Sequence, residues 1–270
     1  MKAPALRRRI ASPPMKLDAA TVLLQWAAGG LFFTWITTRR RVVGLGYGWL
    51  MRGVFAALAL AGVALGRAFS PDGWGAWVRD AGALGVAVAA MTALVVSIVK
   101  RKHGVEGFPP VLDLLAPAAG AIGLIGAASV AGGASTLAVV RLVAGAAFLG
   151  AVTDAMLLGH WYLVQPGLSR DALIEMNRAV GMVWPFEVAA LLWSPGMPQV
   201  FTGTIDDGWD GLLGWVWAVS AVTTIALVVV VRLALRERYY SAVMSATGLL
   251  YLAILTGFGT DLVARAVLTP

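Results

Sequence analysis

The stretch 153–178 gathers more chemically able side chains than any other part of this chain. It holds Asp154, His160, Trp161, Tyr162 and Gln165, then Ser169, Arg170, Asp171, Glu175 and Arg178. On a helix, Asp154 and Trp161 are seven residues apart and share a face; Leu157 and His160 group with Trp161. Pro166-Gly167 is a turn signal, so the chain doubles back there as an antiparallel helical hairpin. Folding about Leu168 brings Arg178 level with Leu158, within reach of Asp154 and His160. A carboxylate, an imidazole, a guanidinium and a Trp-Tyr pair are then expected near one end of the hairpin. Such groups suit a quinone headgroup, whose carbonyls need hydrogen-bond donors and whose protons need an acid or base. They suit a proton path equally well. The plainer alternative makes Trp161 and Tyr162 interfacial belt residues and makes Asp171, Glu175 and Arg178 a solvated helix start, with Glu175 and Arg178 paired locally.

Three further charges fall inside apolar stretches: Arg141, Glu187 and Asp261. In the same hairpin Arg141 and Glu187 come out about eight residues, or about 12 Å, apart in depth. Arg141 then reads as a side chain that snorkels outward. Glu187 follows Trp184-Pro185-Phe186, and a proline there frees the carbonyl of Gly181 and kinks the helix. A kink beside a carboxylate is a way to line a polar cavity, as in transporters. Asp261 and Arg265 have ion-pair spacing and read as a structural pair near the outer end of the last helix. Gln25 is a polar group able to bond a neighbouring helix.

Other chemistry lacks its residues. There is no cysteine, so thiolate metal sites and Fe–S clusters are excluded. The two histidines are His103, in the basic string Lys100-Arg101-Lys102-His103, and His160. They lack the paired in-helix spacing of a membrane haem b, and ligand supply argues against a transition-metal site as well. P-loop, GxSxG, HExxH, CxxCH and Gly-rich dinucleotide motifs are missing, which leaves ATP hydrolysis and zinc proteolysis without support. No catalytic residue is assigned.

The elements that must carry these residues are apolar. Of 270 residues, 59% are hydrophobic and only 13% charged, about half the charge of a soluble domain. That excludes a soluble globular fold, a disordered chain and a nucleic-acid-binding domain despite the net charge of +7. A bilayer core of about 30 Å needs about 20 apolar residues per helix. Eight such runs are present: 17–38, 47–66, 81–99, 112–131, 135–164, 172–193, 212–231 and 241–268. The expected fold is an all-α, polytopic membrane bundle of about eight helices in one domain, 17–268, behind a basic tail, 1–16. The fourth run is the weakest, rich in Ala and Gly and containing Pro117; without it the count becomes seven.

Arginine and lysine cluster after runs one, three and seven, whereas the loop after run six holds Asp206, Asp207 and Asp210. The positive-inside rule places the odd loops in the cytoplasm, although the basic tail (Lys2, Arg7, Arg8, Arg9, Lys16) opposes it. Seventeen arginines against four lysines, with abundant Ala, Val and Gly, resemble GC-rich bacterial coding. The expected location is a bacterial cytoplasmic (inner) membrane, with the lipid bilayer as first partner. Three roles fit: a quinone-interacting or structural membrane subunit of a respiratory or other redox complex, with partner subunits; a secondary transporter or permease for a small solute; a non-catalytic assembly factor. Quinone is the one cofactor these residues point to.

Overall fold

A computed structural model of the chain describes residues 17–70, 72–104, 107–130, 135–165 and 167–268. The basic tail, the Gly132-Gly133-Ala134 joint and Pro166 of the expected turn lie outside the described residues. The helices are α1 (Ala19–Thr38), α2 (Leu45–Phe69), α3 (Trp74–Lys102), α4 (Pro110–Val130), α5 (Thr136–Val164), α6 (Asp171–Leu192), the short α7 (Met197–Phe201), α8 (Leu212–Ala234) and α9 (Tyr240–Leu268). No strand occurs among the described residues. The chain is an all-helical, multi-pass membrane protein.

Local chemistry sets several starts. Asp18 caps α1, accepting from Ala20 N at 3.2 Å and Thr21 Oγ1 at 2.5 Å. Ser135 caps α5 through Ala138 N at 3.1 Å. Asp207 closes the turn into α8: its carboxylate accepts from the N–H groups of Trp209, Gly211 and Leu213, each at 2.9 Å. Burial works to raise the Asp207 pKa, but these three bonds prevail and hold it below its ordinary value.

Seven helices are long and apolar enough to cross a bilayer: α1, α2, α3, α4, α5, α8 and α9. The helix that falls short is α6, not the Gly/Ala-rich fourth run. At 22 residues α6 is long enough, but Asp171, Glu175, Arg178 and Glu187 interrupt its apolar character. It still runs between the two ends of the bundle. Glu175 near its start pairs with Arg39 and Arg40 at the end of α1, and its last carbonyls meet Arg141 near the start of α5. The glycines of α4 have a packing cause. They let α3 approach, and a Cβ on Gly82 would stand 2.4 Å from Gly123 Cα.

The pair at the centre is α1 with α5. Gln25 bonds Leu142 and Thr37 bonds Asp154, in both cases 117 residues apart, so the two helices run parallel in fixed register. Gly29 and Gly150 allow this contact; a Cβ on Gly29 would lie 1.7 Å from the carbonyl oxygen of Ala146. The remaining long helices alternate in direction around the pair. At one end gather Arg39, Arg40, Arg41 and the 100–104 and 235–239 segments, and there Arg170 donates to the carbonyls of Arg238 (2.6 Å) and Tyr239 (2.8 Å). At the other, buried Arg79 joins Asp18 (3.0 Å) and Asp80 (2.8 Å), and Arg67 joins Asp80 (3.1 Å).

Candidate functional site

The expected constellation on α5 and α6 separates into several places. Asp154 is fully enclosed and faces α1 and α2. Tyr47 OH donates to it at 2.8 Å, Thr34 Oγ1 at 3.4 Å, and Thr37 Oγ1 makes a third, short bond. His160 points elsewhere: six residues on, a helix has turned by about 600°, which leaves the two side chains about 120° apart. The imidazole stands on the exposed surface, its Nδ1 3.0 Å from Tyr251 OH of α9. Trp161 stays on the Asp154 side, packs on the Tyr47 ring at 5.7 Å and donates to Gln165 Oε1 at 3.0 Å. Tyr162 is buried; its hydroxyl donates to the Ser169 carbonyl, and its own carbonyl accepts from Tyr240 at 3.3 Å. Arg178 is exposed and does not reach Asp154 or His160. Its expected local partner, Glu175, instead takes Arg39 at 2.9 Å and Arg40 at 3.2 Å. Two cations from α1 outbid one from the same helix, and spacing along α6 gives no view of them.

Close to Asp154 lies a second buried network. Arg52 of α2 grips Asp113 of α4 with two bonds, Nε–Oδ1 at 2.9 Å and Nη2–Oδ2 at 2.7 Å, while its guanidinium lies 3.5 Å from the Phe108 ring centre. It also donates to the Gly48 carbonyl and to Thr38 Oγ1. Thr38 borders a cavity of about 210 Å³ at the basic end, lined also by Arg41, Gly44, Phe108 and Gln165. Sequence reading missed Arg52 and Asp113. Opposite charges inside two apolar runs were the available signal.

Another set of buried charges lies at the other depth, on α6 and α9 against α1 and α5. Asp261 is fully enclosed and holds Arg265 with two bonds, 2.7 and 2.8 Å. This is a buried pair in contact with three other helices rather than an end-of-helix surface pair. Glu187 adjoins it. Glu187 is also fully enclosed; its carboxyl faces that of Asp261, and neither of its oxygens receives an N–H or O–H donor among the described residues. From α1, Gln25 donates to the Leu142 carbonyl at 2.7 Å and leaves its own oxygen unpaired. The absent side chain of Gly145 makes room for the group. A Cβ there would lie 2.4 Å from Asp261 Oδ1, 2.6 Å from Arg265 Nη2 and 2.8 Å from Gln25 Nε2.

Arg141 does not snorkel freely. It closes the end of α6, donating to the carbonyls of Ala190 (3.0 Å), Trp193 (2.8 Å) and Pro195. It faces Glu187 electrostatically without a direct bond. The helix continues through Pro185, whose ring supplies no N–H for the Gly181 carbonyl.

No family model, curated protein or solved structure matches this chain. Among the described residues no three His, Asp or Glu side chains stand close enough to hold a metal ion. Two enclosed carboxyls, by contrast, share one guanidinium in direct contact, while the second cation facing Glu187, Arg141, is bonded to the carbonyls at the end of α6.

Proposed function

We propose that the protein is a secondary transporter, a permease for a small solute, working through the polar group that α1, α5, α6 and α9 enclose. The observation that carries the reading is Glu187: an acid with no exposed surface and no hydrogen-bond donor among the described residues, beside an ion pair that is already complete. Ionisable groups at membrane depth cost several kcal/mol and are characteristic of solute and ion pathways. A folding role for Glu187 would call for a donor within reach, as Asp154 has. Pro185, two residues away, leaves the Gly181 carbonyl without its helical N–H while α6 continues through it. Reconstituted into proteoliposomes under an imposed pH or sodium gradient, the protein is expected to accumulate a solute from a broad panel, and Glu187→Gln to abolish it. Absence of gradient-driven uptake across the panel would contradict the reading.

A second reading, a quinone-interacting membrane subunit with partner subunits, rests on a different place. His160 and Tyr251 form a bonded pair on the exposed surface of α5 and α9, open to a headgroup dissolved in the bilayer. Quinone that co-purifies with the protein and is lost in His160→Ala would favour it. The bacterial inner membrane remains the proposed location, with the basic end in the cytoplasm. Nothing specific favours an assembly factor.

A further inference from the structure

We infer that Glu187 and Asp261 together hold one exchangeable proton, and that this proton is the ion which drives the solute; the second half rests on the transport reading above. Three enclosed acceptor oxygens without donors meet in this region: both oxygens of Glu187 and Oε1 of Gln25. Beside them Asp261 is occupied by Arg265 on both its oxygens. The two carboxyls carry two negative charges if ionised; Arg265 bonds one of them, and the other cation facing Glu187, Arg141, is bonded to the carbonyls at the end of α6 and makes no direct bond to it. A bare second carboxylate in such surroundings is far costlier than the neutral acid.

A proton resolves the geometry. A protonated Glu187 becomes an O–H donor able to bond the neighbouring Asp261 carboxylate, and the group becomes neutral as a whole. Release breaks the Glu187 O–H bond, leaves its electron pair on the carboxylate, and passes the proton to Asp261 or to water. A metal cation fits worse: it would stand against the fixed positive charge of Arg265. The charged groups facing Glu187 are Asp261 and Arg265 from α9 and Arg141 from α5. From α1, neutral Gln25 borders Asp261 and Arg265 at Gly145. Around the end of α6, α8 contributes Trp217 and Ala218 to an apolar cluster with Leu191. The way out runs past Arg265, whose side chain is 13% exposed while Asp261 is sealed. Binding of the proton thus changes the charge of a group clamped between four helices, which is what coupling to a helix movement requires.

The test is an infrared titration of the purified protein in lipid, followed by uptake in vesicles loaded with the same preparations. Wild type is expected to show the carbonyl stretch of a protonated carboxylic acid that exchanges slowly with deuterium and disappears on alkalinisation. Glu187→Gln should lack it and Glu187→Asp should restore it, with both variants keeping the wild-type unfolding temperature. Uptake should follow the pH gradient and be lost in Glu187→Gln. Absence of the band in wild type, or its persistence in Glu187→Gln, overturns the proton site, even if uptake proceeds. A Glu187-dependent band with uptake indifferent to the pH gradient overturns the coupling. The same band with no uptake of any panel solute overturns the transport reading while the proton site stands.

Discussion

Asp154 and Glu187 are both sealed acids on neighbouring helices, and their surroundings treat them oppositely. Asp154 sits at the level where α1 presents Thr34 and Thr37 and α2 presents Tyr47, and all three hydroxyls donate to it. Glu187 sits beside Asp261 and Arg265, where both bonds of the guanidinium go to Asp261 and neither Glu187 oxygen receives a donor. The difference is a supply of donors, not depth or burial. A satisfied buried acid fixes helices in register; an unsatisfied one is free to change its proton or its partner. We read the first as the pin of the α1–α2–α5 contact and the second as the working group.

Breaking the pinned side should have the largest effect. Arg52→Ala leaves Asp113 buried without its cation and should lower stability by about 3–5 kcal/mol, read as loss of folded protein in thermal unfolding in detergent. Gly145→Ala pushes a methyl group into the space that Asp261, Arg265 and Gln25 share; overpacking of that kind costs about 1–3 kcal/mol, and the same assay should show it. Tyr47→Phe removes one donor from Asp154 and should cost about 1 kcal/mol, in the range of hydrogen bonds between membrane helices.

The smallest effect comes from a third acid, outside the spans, which sharpens the contrast. Asp207 is satisfied by three backbone N–H groups and its pKa is depressed despite its burial. Its ionised form supports the folded loop, so that contribution is full above the ordinary Asp value of about 3.9 and is lost as pH falls through the lower folded value. Hydrogen exchange of the N–H groups of Gly211 and Leu213 should therefore accelerate only on strong acidification. In Asp207→Asn it should be faster at neutral pH as well.

The architecture was largely legible because membrane helices are written in composition. All eight apolar runs are helices, with ends within a few residues except for α3. That helix starts at Trp74 rather than at 81, because Arg79 and Asp80 are buried in a network with Asp18 instead of lying in a loop. Sequence also singled out Asp154, Glu187, Arg141 and Asp261 as charges in apolar surroundings. It failed on who meets whom. His160 was grouped with Asp154 by nearness along the chain, while the helical turn sends it to Tyr251. Glu175 was given Arg178 and takes Arg39 and Arg40. Asp261 and Glu187 are 74 residues apart, and only the packing of α6 near α9 joins them. Partners within one helix follow from periodicity; partners across helices depend on register and rotation, and a single chain of apolar residues leaves both open.

One preparation of Glu187→Gln, measured twice, tests the division of labour most directly. Its thermal unfolding should match wild type within about 1 kcal/mol, since the glutamine amide can donate to Asp261 where the protonated acid does, while gradient-driven uptake in proteoliposomes should vanish. A marked loss of stability together with wild-type uptake would place Glu187 beside Asp154 as a structural acid and contradict the reading.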